Sequence, residues 1–378
     1  MPPESESKTF HLGYRPSLDG VRGISILWVL GVHANVLGGS LSIIGVILFF
    51  VLSGFLITTL LVEEWDTCKD ISLRNFYLRR ALRLLPALMA MLVAYLIYSF
   101  MVNPRKDFIS DAWQALAALL YWSNWSQAFE TSIWDSIRHT WSLSVEEQFY
   151  FIWPLLLLLL LRRLRLITIL RLVVIGAILC SLTRFYMAAA TAVRYQRLYF
   201  GLDTRADDLL MGVAIAIALS SGRLPFSKKG QRMLSMAASL SAIVLVMGFK
   251  FQPWDEAEIL YSGWLIMAVC GTVIIAHLVT NQGNFLHWIL ENRILVYLGR
   301  ISYGLYLWHY PIFRAVQSQE WPQWKGALVG IAVTAAATLG CYYLVELPCL
   351  KLKKRFTGRG TERPLISAEP HRGTVGVG

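Results

Sequence analysis

Residues 19–37 read DGVRGISILWVLGVHANVL, an apolar run that can cross a bilayer, with Arg22 at its start and His33 inside it. Ionisable side chains within a membrane span are costly and rare. Arg22 and His33 lie eleven residues apart, which is roughly 16 Å of helix rise. With Arg22 at the inner face, His33 falls beyond mid-membrane, towards the outside. Two readings of His33 stay open: an imidazole hydrogen-bonded within a helix bundle, or a reactive group.

The whole chain extends this pattern. Of 378 residues, 56% are hydrophobic and 16% charged, against about 25% charged in a soluble domain. An integral membrane protein follows. Residues 1–16 are polar and lack a signal-peptide pattern, so the first span is expected to be retained. The formal net charge of +11 reads as basic loops that obey the positive-inside rule, with no nucleic-acid partner. The five cysteines (Cys68, Cys180, Cys270, Cys341, Cys349) form no CxxC pair or metal-ligand spacing. They read as packing residues, and no metal is expected.

Apolar stretches of spanning length fall at 22–40, 43–62, 84–102, 143–161, 166–189, 207–221, 235–250, 259–279, 295–315 and 327–347. The fold class expected is all-α, a polytopic bundle of about ten transmembrane helices. Residues 111–126, with Gln114 and Asn124 among tryptophans, read as one additional re-entrant or interfacial helix. Charge supports that reading. Ten spans with an inner N-terminus put 25 of the 35 Lys and Arg residues inside, whereas a crossing at 111–126 would leave 16 inside and 19 outside. Both termini are then cytoplasmic. The organisation expected is a cytoplasmic segment 1–16, a membrane domain 17–350, and a basic, disordered tail 351–378.

The polar residues on this frame form two layers. FYLRRALRLLP (76–86) puts Arg80 and Arg83 one turn apart on one face at the inner mouth of the third span. They read either as a positive-inside anchor or as a phosphate clamp, which suits forked guanidinium groups. HTWSLSVEEQFYFIWP (139–154) sets Glu146, Phe149, Tyr150 and Trp153 on one stripe at the outer end of its span. Asp203, Arg205, Asp207 and Asp208 cluster at the outer start of 207–221. SYGLYLWHYP (302–311) puts His309 in the outer half of a span, and LVELP (344–348) puts Glu346 at the level of the inner arginines. An inner arginine layer and an outer layer of two histidines and a carboxylate fit an elongated ligand with an anionic head and a reactive tip. Acyl-coenzyme A has that form. A proton-coupled secondary transporter is the alternative, since intramembrane His and Glu would suit it.

Taken in order, these motifs resemble the acyltransferase-3 family of integral membrane O-acyltransferases. The residues carrying the resemblance are SLDGVRGISILWVLGVH with its Arg22–His33 spacing, FFVLSGFLIT (49–58), the Arg80/Arg83 pair, WSLSVEEQFYFIWP, FGLDTRADDLLMG (200–212), SYGLYLWHYP, and the closing Glu346 and Pro348. The resemblance covers about 17–350. It implies transfer of an acyl group, usually acetyl, from cytoplasmic acyl-CoA to a hydroxyl of a cell-surface carbohydrate or other glycosylated acceptor, in a bacterial plasma membrane. It implies His33 and Glu146 as catalytic residues, and Arg22, Arg80 and Arg83 as donor-binding residues. Glu147 is the less specific acid of the pair. Asp19, Trp141, Tyr150, Arg205 and His309 are the residues expected to bind or orient substrate, and Glu346 is the expected structural partner of the inner arginines. The partners expected are acyl-CoA, the carbohydrate acceptor and membrane lipids. Many relatives carry an esterase-like domain after the last span and this sequence has none there, so direct acylation and hand-over to a separate extracytoplasmic transferase both stay open. A neutral His33 could act as general base or carry the acyl group itself.

Overall fold

The computed structural model describes residues 10–356 apart from 39, 103–107, 132–135, 191–192, 225–226, 251–262 and 282. The helices in chain order are α1 (Pro16–His33), α2 (Ser40–Cys68), α3 (Leu73–Val102), α4 (Phe108–Leu119), α5 (Ser123–Ala128), α6 (Thr140–Leu161), α7 (Leu166–Ala189) and α8 (Tyr195–Phe200). They continue with α9 (Ala206–Ser220), α10 (Lys228–Lys250), α11 (Trp264–Thr280), α12 (Phe285–Leu290), α13 (Arg293–Arg300), α14 (Ser302–Gln317), α15 (Gln323–Cys341) and α16 (Leu347–Phe356). No strand occurs among the described residues, as expected for a chain that must satisfy its backbone polar groups within each segment in lipid.

Six of the ten expected spans meet helices of spanning length among the described residues. Helices fall on all ten apolar stretches, but among the described residues only α2, α3, α6, α7, α10 and the α15–α16 segment are long and apolar enough to cross a membrane. Of the shorter helices, α9 is enclosed. α9 has 15 residues, about 22 Å of rise, which is less than a bilayer core. Its neighbours α2 and α7 flank it, and Asp207, Asp208, Leu209, Val213, Ala216 and Ile217 on it are wholly buried. A helix enclosed by protein need not match the lipid thickness.

Two expected boundaries also move. The first apolar stretch ends early, because Asn35 adopts a left-handed backbone (φ 57°) just beyond His33, a conformation Asn tolerates. The stretch 295–315 is broken at Ile301 into α13 and α14. α13 lies along α1, where a Cβ on Gly299 would overlap the Asp19 carbonyl. The same logic fixes α2 against α9: a Cβ on Gly54 would overlap the Leu209 carbonyl. Lipid tails supply no hydrophobic drive between helices, so such close backbone approach is a main source of attraction.

Residues 111–126 form two short helices, α4 and α5, with Tyr121 in a left-handed turn between them (φ 53°). α4 runs back along α3. Ser99 hydrogen-bonds Asp111, and Ala115 and Ala118 pack on Ala87, Leu88, Met91 and Tyr95. The 12 residues of α4 rise only about 18 Å. At the C-terminal end, α16 continues as helix to Phe356. Residues 1–9 and 357–378 of the two expected terminal segments lie outside the described residues.

Candidate functional site

A cavity of about 110 Å³ lies between α1, α2, α3, α6, α13 and α14. Four arginines line it: Arg22, Arg80, Arg83 and Arg300. They are not equivalent. Arg80 donates to Glu147 Oε1 from Nε (2.9 Å) and Nη2 (2.6 Å), and its guanidinium lies 3.3 Å above the Tyr150 ring. Arg83, one turn on, makes no hydrogen bond or ion pair among the described residues. Among the described residues the carboxylate within reach of Arg22 is Asp19, at 4.0 Å, and Arg300 shares that carboxylate at 3.9 Å while donating to the Tyr14 hydroxyl at 2.7 Å. One acid therefore serves two arginines and Arg83 has none, which leaves the cavity with unbalanced positive charge that favours an anion.

Glu146 also faces this cavity. Its Oε1 accepts from the Tyr150 hydroxyl at 2.9 Å and from Ser53. The sequence grouped Glu146 with the histidines. The fold turns it to the arginine end instead, and among the described residues no hydrogen bond or ion pair joins it to His33.

The histidines form a separate cluster. His33 and His309 have ring centroids 5.0 Å apart, His309 and His139 5.3 Å, and the Tyr310 ring stands 5.1 Å from both His33 and His139. Each imidazole gives one nitrogen to a backbone carbonyl: His33 Nδ1 to Val29 (2.8 Å), His309 Nδ1 to Tyr306 (2.7 Å) and His139 Nε2 to Leu307 (3.1 Å). A carbonyl only accepts, so those nitrogens carry the protons. In each neutral ring the other nitrogen is then an acceptor. For His33 that is Nε2, the nitrogen a general base requires.

Tyr306 and Ser142 form the wall between cavity and cluster. Both line the cavity, their oxygens are 2.6 Å apart, and the Tyr306 hydroxyl donates to the His139 carbonyl at 3.1 Å. The Tyr306 ring lies 5.3 Å from His309 and 5.4 Å from His139. The arginine-lined chamber thus ends one side chain, Tyr306, short of His139 and His309.

A family model described as an acyltransferase domain matches residues 15–346. The chain belongs to the acyltransferase-3 family. It is 33% identical over 352 residues to the peptidoglycan O-acetyltransferase OatA of Listeria monocytogenes serovar 1/2a, covering 89% of this chain and 56% of that protein. It is 34% identical over 360 residues to the putative peptidoglycan O-acetyltransferase YrhL of Bacillus subtilis strain 168, covering 90% of this chain and 56% of that protein. A putative O-acetyltransferase of Staphylococcus aureus strain MSSA476 is 33% identical over 313 residues, with 81% and 52% covered. The chain spans about half the length of the curated relatives it matches. No solved structure matches it.

The remaining residues singled out in this acyltransferase-3 chain lie apart from the cavity. Trp141 packs on Tyr199 (5.0 Å) and Phe200 (5.4 Å). Arg205 is wholly buried with its guanidinium 3.4 Å over the Trp264 ring and 3.5 Å from Asp208. The buried Arg184–Asp207 pair beside it is closed at 2.7 Å, with further bonds from Ser181 and to the Thr204 carbonyl. Neither Trp141 nor Arg205 lines the cavity. Glu346 sits on a π-helical turn (Tyr342–Glu346) and pairs with no arginine among the described residues. The charge that acts on its carboxylate is that of Arg83, the inner arginine without an ion pair among the described residues. Among the described residues no group of three or more His, Cys, Asp or Glu is arranged to hold a metal.

Sequence reading missed Arg300, Tyr306, Ser53 and His139 as site residues, and treated Glu147 as incidental. Ser53 and Tyr306 stand within stretches that carried the family resemblance, FFVLSGFLIT and SYGLYLWHYP, and His139 lies two residues before WSLSVEEQFYFIWP, so proximity to those motifs was the available signal.

Proposed function

We propose that this protein is an O-acyltransferase that moves an acyl group, acetyl foremost, from acyl-CoA on the cytoplasmic side to a hydroxyl of a cell-envelope carbohydrate, within a bacterial plasma membrane. The observation that carries the reading is the arginine-lined cavity ending at Tyr306 and Ser142 against the three histidines. Arg22, Arg83 and Arg300 hold the donor's phosphates, and Arg80, fixed by Glu147, shapes the chamber beside them. Glu146, bonded by Ser53 and Tyr150, faces the same chamber. The thioester end lies towards Tyr306. His33 Nε2 takes the proton from the acceptor hydroxyl as its oxygen attacks the thioester carbonyl. The carbon–sulfur bond breaks, and the departing thiolate takes that proton. An acyl-imidazole on His33 is the other route through the same nitrogen. The relatives' printed names, peptidoglycan O-acetyltransferase among them, support an envelope glycan as acceptor. A proton-coupled transporter would employ the histidines but leaves an arginine-lined chamber without a role.

Contacts between loops support ten crossings, with both termini inside and α4–α5 entering and leaving by the outer face. Asp70 accepts from Arg162 at 3.1 Å, although they belong to segments before and after α4. A crossing at α4 would separate them by a membrane. Gln317 donates to the His33 carbonyl at 3.0 Å and Asn281 to the Gln231 carbonyl at 3.0 Å, which pairs outer with outer and inner with inner. The test is incubation of the purified protein with labelled acetyl-CoA and peptidoglycan fragments. Mass-spectrometric detection of an O-acetylated sugar supports the reading, and its absence from every glycan tried, together with no coenzyme A binding, overturns it.

A further inference from the structure

His139 and His309 each leave one ring nitrogen without a partner. His309 is wholly buried and His139 is 4% exposed. Their Nε2–H or Nδ1–H groups are spent on backbone carbonyls, and the nitrogens left over, His139 Nδ1 and His309 Nε2, have no hydrogen-bond partner among the described residues. A buried polar atom left unpaired costs free energy, and such atoms in a folded protein need a reason. Two of them sit on rings 5.3 Å apart, and the His309 ring lies 5.0 Å from that of His33.

The chemistry of the missing partner is narrow. All three nitrogens can only accept, so the partner that His139 Nδ1 and His309 Nε2 lack is a donor. A thioester carbonyl is itself only an acceptor and gains nothing there. A sugar, with hydroxyls on adjacent carbons, offers several O–H donors in a small space. The cavity's arginines, by contrast, are donors only and suit phosphate. The two sides of the Tyr306–Ser142 wall are thus opposite in hydrogen-bonding character.

We propose that His139 is an acceptor-binding residue: its Nδ1, with His309 Nε2, accepts hydrogen bonds from hydroxyls of the carbohydrate, holding the reacting hydroxyl against His33 Nε2. This rests on the acyltransferase reading above. His139 lies on the loop leading into α6 and His309 on α14, so the Nε2–H bond from His139 to the Leu307 carbonyl sets the spacing of the two acceptor nitrogens as well as tying these elements together.

Two substitutions separate binding from scaffolding. His139→Gln keeps an amide donor at the reach of the Leu307 carbonyl but moves the acceptor atom. His139→Asn keeps an acceptor at the δ position but falls short of Leu307. The full chain in nanodiscs is assayed with acetyl-CoA and, as acceptor probe, the N-acetylglucosamine–N-acetylmuramic acid disaccharide. The result expected is an acceptor KM raised about tenfold or more in His139→Gln, with coenzyme A affinity unchanged. His139→Asn restores most of the acceptor affinity while its thermal stability falls. The reverse order, a normal KM in Gln and a raised one in Asn, overturns the proposal and leaves His139 a scaffold residue. Unchanged KM in both also overturns it. A wild-type protein that binds coenzyme A but acylates no hydroxyl of the disaccharide overturns the carbohydrate assignment for this cluster, whereas failure to bind coenzyme A strikes the donor reading instead.

Discussion

Arg80 is held by Glu147 through three hydrogen bonds, at 2.6, 2.9 and 3.1 Å, while Arg83 on the next turn of α3 makes no hydrogen bond or ion pair among the described residues. The two arginines therefore have different jobs. Arg83→Ala is expected to weaken coenzyme A binding by tenfold or more, the loss of about 1.5 kcal/mol or more that goes with a bond to a charged group, with little change in stability. Arg80→Ala leaves Glu147 in the bundle without its cation, and is expected to cost about 3 kcal/mol of stability. The double change Arg80→Ala with Glu147→Ala should recover part of that. Calorimetric titration and thermal melts read the two effects, and equal losses of affinity with equal stability in the single variants would contradict the division.

His33→Ala removes the proposed base while leaving the arginine cavity whole. Transfer is expected to fall by a factor on the order of 10² to 10⁴, with coenzyme A affinity retained. A turnover rate like that of the wild type would remove His33 from the chemistry.

Topology is testable at exposed loop residues. In a background lacking the native cysteines, Glu130→Cys and Glu320→Cys are expected to react with an impermeant thiol reagent from outside. Asp70→Cys and Arg223→Cys are expected to react only once the membrane is opened. Labelling of positions 70 and 223 from opposite sides would mean that α4 and α5 cross.

Gly54 and Gly340 provide a matched pair for the packing argument. A Cβ at Gly54 overlaps the Leu209 carbonyl, whereas one at Gly340 meets nothing within 4 Å. Gly54→Ala is expected to destabilise by about 1–3 kcal/mol. Gly340→Ala should be neutral or stabilising by up to about 1 kcal/mol, the gain of helix propensity. Melting temperatures of the purified variants decide it.

Much of the site was legible in the chain. Arg22, Arg80, Arg83, Glu146 and His309 fell within motifs or apolar runs where an ionisable side chain demands a reason, and all line the cavity or the histidine cluster. The partners of Glu146 were not legible. Helical spacing fixes which face of α6 a residue occupies, but not whether Ser53 and Tyr150 or His33 stands opposite. Arg300 was invisible because it ends α13, a helix whose separation from α14 at Ile301 the continuous apolar pattern did not announce.

By itself the sequence determined that the chain is helical and membrane-bound, which residues of unusual cost lie in its apolar runs, and which family it belongs to. These follow from local properties: hydropathy sets solvent, and the helix repeat sets faces. Only the tertiary structure decided which charges are free. Arg80 meets Glu147 across 67 residues, and His139 meets the Leu307 carbonyl across 168. Such pairings depend on which helices become neighbours and how closely their glycines let them approach. In a lipid-filled surround that is decided by packing between helices rather than by the apolar pattern along any one of them.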